Sequence, residues 1–365
     1  MKKIKKSLIL TGFGLFTLFM IFVLFYVPDT TSQEENSKLN RIGFSYYEDI
    51  AGKLTVNDAD TVWKQGEFTG NETSSFTFGR SHSTFWLRVP TEKKELLKDY
   101  IALFCPNIQN VQLYIPTEKG YDVHYSGWGN SLIRDDESLT FPVFRLDPNN
   151  LVEKKPIYMR IQSDYSHNYK LEFYTDKELN QVRIEEFCLN SFFFGMLIAV
   201  VLINFIIYLK LKNKTSLAFS ICVLLLSIHQ SINYGIYNAI IPAHSHALMS
   251  LSMEIGLLFI ISIIVFFMIF SDVGTYNKLY YRFLLLFIGI SLIDYPICFM
   301  DKIVANLYGH CLTIIVPLFI LYVSFRMHQE GHKDQRLFML GWGLTILLYT
   351  ASMLVCEGMM QIGFS

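Results

Sequence analysis

Between Tyr121 and Asp136 the chain reads YDVHYSGWGNSLIRDD. Three aromatic rings, Tyr121, Tyr125 and Trp128, alternate there with His124, Asn130, Arg134 and Asp135. Flat ring faces can stack on sugar rings, and interleaved polar groups can read hydroxyls. Gly127 and Gly129 mark a loop, and binding residues often collect on loops. The pattern makes Tyr121, His124, Tyr125, Trp128 and Arg134 a candidate site for a small molecule or glycan. The competing reading is a turn whose rings pack back onto a sheet edge. The polar segment SDYSHNYK, Ser163–Lys170, is a second candidate rim. Arg88 and Arg160 fall in strand-like runs, where each is suited to pairing with a carboxylate rather than to catalysis.

A second set of polar residues lies inside long apolar runs: His229, Glu254, Asp294, His310 and Glu357. Ionisable groups are costly in a bilayer, so they usually face a bundle interior or water. Glu254 reads as the deepest carboxylate, about two turns into its run. These residues are expected to form a polar pocket among the spans. The alternative is that Asp294 and Glu357 simply reach the headgroups.

Catalytic chemistry finds no such pattern. The pair in HSH, His244–His246, is a poor metal set, and no phosphate-binding glycine loop, nucleophile elbow or HExxH occurs. No enzyme, metal or cofactor is therefore expected. Net charge is −1, which gives no reason to expect nucleic acid. The six cysteines show no metal or redox spacing, and only Cys105 lies well inside the polar half.

The elements that must position these residues fall into two halves. Residues 1–28 carry Lys2, Lys3, Lys5 and Lys6 ahead of an apolar run too long for an ordinary signal peptide, and read as a signal anchor. Residues 29–38 read as a polar linker. Residues 39–186 show short period-2 runs. In FTFGRSHSTFWLRV, Phe85, Leu87 and Val89 oppose Trp86 and Arg88; in PIYMRIQS, Ile157, Met159 and Ile161 oppose Tyr158, Arg160 and Gln162. NVQLYI and KLEFYT alternate likewise. The spacing predicts an all-β sandwich. YYEDIAGKL looks like a short element of another type.

Residues 187–365 carry six apolar runs: about Cys188 to Leu211, Leu217 to Ile241, Leu248 to Phe270, Leu279 to Met300, Ile303 to Phe325 and Leu337 to Met359. Each is long enough to cross a hydrocarbon core of roughly 30 Å. Lys and Arg crowd loops one, three and five, so these loops are expected inside and the polar half outside. The same count puts Ser365 outside.

In this order the residues resemble bacterial seven-transmembrane receptors with diverse intracellular signalling modules. The stretches are YYEDIAGKLTVNDADTVW, FTFGRSHSTFWLRV, VQLYIPTEKGYDVHYSGWGNS, FPVFRLD and PIYMRIQSDYSHNYKLEFYTDKE, then FFFGMLIAVVLINFIIYLKLKNKTSLAFS and HQSINYGIYNAI. The resemblance implies an extracellular jelly-roll sensor related in shape to carbohydrate-binding modules, followed by an all-α polytopic bundle. It differs from the family in showing six runs after the sensor where seven and an effector are usual, so no output module of its own is expected. The expected function is a membrane receptor that binds an extracellular small molecule or glycan and signals through a partner protein. The alternatives are a membrane-anchored binding or assembly module for an envelope enzyme or transporter, and a transporter in its own right. The intramembrane acids favour the transporter, but broken helices and repeated halves are lacking.

Overall fold

The structure is a computed structural model. It describes residues 43–71, 74–92, 97–105, 108–137, 140–148, 151–152, 155–164, 166–240, 245–336, 338–341 and 343. The expected anchor, the linker, His244, Glu357, Ser365 and nearly all of the sixth run lie outside them. The chain divides into two compact units. One takes the strand-rich region through Leu189 together with Ser231–Leu251; the other takes Asn190–Gln230 and the helices from Ser252.

Among the described residues, ten strands build two sheets: β1 (Phe44–Asp49), β2 (Thr69–Asn71), β3 (Ser75–Arg80), β4 (Thr84–Val89), β5 (Tyr100–Phe104), β6 (Asn110–Thr117), β7 (Gly120–Ser126), β8 (Val143–Arg145), β9 (Ile157–Gln162) and β10 (Ser166–Tyr174). The six-stranded sheet runs β2-β1-β4-β9-β6-β7 and the four-stranded sheet β3-β10-β5-β8, with antiparallel pairing throughout. Register puts Leu87, Met159 and Leu113 in one row across β4, β9 and β6. Side chains alternate along a strand, so this row shares a face. It packs against Ile101, Leu103, Phe144 and Leu171 of the other sheet. The expected all-β sandwich is therefore present.

The adjacent row, Tyr47, Trp86, Arg160 and Gln112, points to the other face. A helix covers much of that face: α1 (Val56–Lys64) buries Ala59 against Phe68, Trp86 and Tyr158. All of β4 is buried as a result. Thr55 caps α1 by accepting from the Asp58 N–H, while the Asp58 carboxylate accepts from the Thr55 N–H, a reciprocal cap that fixes where the helix starts. The expected odd element in YYEDIAGKL is thus placed later: Tyr46–Asp49 belong to β1. The Asp49 carboxylate accepts from Gly52 and Leu54 N–H at 2.8 Å each, holding the turn between them.

The second half is helical: α2 (Asp176–Leu211), α3 (Lys214–Asn233), α4 (Ile236–Ile240), α5 (Ser245–Met249), α6 (Ser252–Phe270), α7 (Val273–Tyr276), α8 (Lys278–Met300) and α9 (Lys302–Gln329). Among the described residues, α2, α3, α6, α8 and α9 are long and apolar enough to cross a membrane. This is a membrane protein. Three run boundaries differ from expectation. Helix α2 starts at Asp176, ahead of Cys188, because Leu179 and Val182 pack on Tyr100, Phe141 and Tyr174 of the strand-rich unit. Helix α3 stops at Asn233, before Gly235 at φ +67°. The third run breaks at Ser250 and Leu251, so α6 begins at Ser252. Ile264, Phe267, Leu284, Ile320 and Val323 form the centre of the helical packing.

Candidate functional site

The aromatic loop leaves β7 and folds hard against the start of β6. Gly127 has φ +93°, and a Cβ there would lie 2.8 Å from the Gln109 carbonyl carbon and closer still to its oxygen. A Cβ at Gly129 would lie 2.9 Å from the same oxygen. The Gly129 N–H donates to the Gln109 carbonyl at 2.8 Å, and the Trp128 N–H to the Ile108 carbonyl at 3.2 Å. These two glycines let the backbone dock. Trp128 is then only 1% exposed, and its ring centroid lies 5.5 Å from that of His246 in α5. The exposed stacking platform expected at Trp128 is corrected: the ring is interior packing.

Arg134 is corrected in the same way. Its guanidinium clamps Asp136, through Nε to Oδ1 and through Nη2 to Oδ2 at 3.0 Å, and both side chains are buried. Asp136 also accepts from the Ser126 hydroxyl at 2.8 Å. His124 Nδ1 pairs with Asp135 Oδ2 at 2.8 Å, while Asp135 Oδ1 accepts the Tyr125 N–H at 2.6 Å. These bonds spend the polar groups of the loop on building the turn. Tyr121, His124 and Tyr125 stay partly exposed.

Tyr121 belongs to a different cluster, on the outer face of the six-stranded sheet. Its ring makes edge contacts with Tyr114 at 6.4 Å and Tyr158 at 6.0 Å. Beside them the Arg88 guanidinium lies 3.9 Å over the Trp63 ring, a cation–π contact, with Nη2 3.8 Å from Glu92 Oε1. The Tyr158 hydroxyl donates to Asp60 Oδ1 at 3.1 Å. Burial, with the Asp60 charge adding, pushes the Tyr121 phenol up to about 12 and holds Tyr158 higher, so both remain donors at neutral pH. Two buried donors here, Trp86 Nε1 and Arg88 Nε, have no hydrogen-bond partner among the described residues. Both donors are enclosed, whereas Tyr114, Tyr121 and Trp63 keep part of their rings exposed beside the half-exposed Asp60. Strand alternation puts Trp86, Arg88, Tyr114 and Tyr158 on one face; what sequence reasoning missed is that α1 supplies Trp63 and Asp60 to it.

The second rim is also corrected. Ser166–Tyr174 is strand β10, with His167 fully buried and Tyr169 1% exposed. His167 Nε2 meets the Ser81 carbonyl at 2.8 Å and the Ser163 carbonyl at 3.1 Å, and the Tyr169 hydroxyl meets Nδ1.

Of the intramembrane residues, Asp294 is 2% exposed on α8 and faces α9, with Oδ2 3.4 Å from where a Cβ on Gly309 would be. His310 follows Gly309 directly. Glu254 is on α6. It lies in the first turn of α6 rather than two turns in, because the break at Leu251 delays that helix. An acid in a first turn is favoured by the exposed N–H groups there. His229 of α3 fits over Gly256 of α6, its Cε1 3.0 Å from a Cβ position there. Contacts at these residues join α3 to α6, at His229 and Gly256, and α8 to α9, at Asp294 and Gly309.

Comparison with known families divides the chain at the same place. Residues 42–175 match the family model described as 7TMR-DISM extracellular 2, and residues 186–365 match that described as 7TM diverse intracellular signalling. No curated protein matches the chain.

Proposed function

Because the chain belongs to the seven-transmembrane receptors with diverse intracellular signalling modules, we propose that its sandwich faces the outside, binds a small molecule or glycan there, and passes the bound state through the helices to a signalling partner protein. One observation carries this reading: a two-sheet sandwich matched to the family's extracellular domain leads into helices matched to its membrane domain. Basic residues support the orientation. Lys210, Lys212 and Lys214 flank the turn between α2 and α3, Lys278 and Arg282 follow α6, and Arg326, Lys333 and Arg336 follow the middle of α9, whereas 234–251 has none. The chain acts as a sensor rather than as an enzyme.

The outer face supports this ligand class. Tyr121, Tyr114 and Trp63 offer ring surface and Asp60 a half-exposed carboxylate, while Arg88 backs the Trp63 ring. A ligand signals only if it binds two states of the helices with different affinity. The test is binding of soluble oligosaccharides and wall-polymer fragments to the full chain in nanodiscs, read as a ligand-dependent rise in melting temperature. Tyr121→Ala is expected to weaken binding by about 1–3 kcal/mol, the range for a ring contact at a well-packed site. Equal binding by variant and wild type would move the site elsewhere. No binding by an intact sandwich would reject the carbohydrate class.

A further inference from the structure

The turn that follows Trp128 presents Leu132, 87% exposed, and Ile133, 57% exposed, side by side. Single exposed apolar residues are common, but loop tips normally carry small polar ones. This tip is also stiffly built. Ile133 N–H donates to the Asn130 carbonyl at 2.9 Å, and Asn130 Nδ2 donates to the Ser126 carbonyl at 2.9 Å. The Asp135 and Asp136 contacts close its far side. A rigid turn is therefore holding two large apolar side chains in the open.

Its neighbour bears on what could cover them. The Trp128 ring packs on His246 of α5, and α5 ends at Met249, three residues before the apolar helix α6 begins at Ser252. Three residues span at most about 11 Å. Leu132 follows Trp128 by four residues, a reach of at most about 14 Å. The chain itself thus ties this tip to within a short reach of the start of the apolar helix α6.

We propose that Leu132 and Ile133 insert into the lipid leaflet on the sandwich's side of the membrane, making the 130–133 turn a membrane-seated foot of the sensor. The occupant is lipid rather than a second protein, because the tip is tethered within a few residues of a span. The inference rests on the docking of α5 against Trp128 and needs no ligand at the outer face. Its failure would leave the proposed receptor function standing.

The experiment places the fluorescent amino acid dansylalanine at Leu132, at Ile133, or at Glu118 in the otherwise unchanged full chain. Glu118 lies in the turn at the opposite end of the β6–β7 hairpin. Seven residues of strand separate the ends by roughly 23 Å, so it is the internal control. In phosphatidylcholine–phosphatidylglycerol vesicles, emission from 132 and 133 is expected to be blue-shifted. It should also be quenched several-fold more strongly by shallow spin-labelled lipid than emission from 118. Emission at 132 matching that at 118 would overturn the proposal. A blue shift without lipid quenching would also overturn it, in favour of a protein contact.

Discussion

His167 is held neutral by its surroundings. Burial lowers its tendency to take a proton, and the Ser81 and Ser163 carbonyls, which accept from Nε2, only partly offset this. With the Tyr169 hydroxyl donating to Nδ1, the ring has one donor and one acceptor role, which is neutral imidazole. The sign of the pH effect follows. Above the ordinary value near 6.5 the folded and unfolded chains are both neutral here, and the contribution is whole. As pH falls below 6.5 the unfolded chain takes up a proton that the folded chain resists, so stability declines until the depressed folded value is passed. Denaturant titrations of the full chain between pH 7 and pH 5 should therefore show the strand-rich unit losing stability. His167→Gln should be weaker at pH 7 but show a shallower slope. Equal slopes would mean that His167 does not carry the effect. Nothing local marks this histidine in the sequence. SDYSHNYK is polar, and burial comes from strand β3 and the Ser81 turn, over 80 residues away. Trp128 was hidden for the same reason, since its ring partner is His246.

Elements were more legible than residues. The alternations in β4, β6, β9 and β10 identify inner positions because a two-residue period fixes the face whichever strands are neighbours. The period cannot say whether the other face meets water, and here α1 covers part of it. Span ends were blurred because apolar runs continue through turns: Gly235 and Leu251 break helices inside hydrophobic sequence. The docked loop is the element most open to test. Gly127→Ala adds a Cβ against the Gln109 carbonyl at a backbone angle that side chains resist. A loss of about 2–4 kcal/mol from the strand-rich unit is expected, since strain and overpacking combine. Gly120→Ala is the comparison: its φ is also positive, but a Cβ there meets nothing within 4 Å. If both variants lose the same stability in thermal unfolding, the close approach at Gln109 does not matter.

At the scale of the whole molecule the loops make one statement about orientation. With native cysteines replaced, a cysteine at Lys119 should react with an impermeant maleimide in intact cells and one at Asn213 should not. The reverse labelling would invert the proposed topology. A membrane also concentrates copies of a chain into two dimensions, where an open sheet edge can recruit a neighbour's strand. The four edges are poor templates. Strands β2 and β8 are three residues long. Strand β7 carries Asp122 and His124. Strand β3 holds Gly79 at φ +70° where the pairing with β10 slips register between His167 and Asn168. Such edges let many copies crowd side by side without growing into a shared sheet.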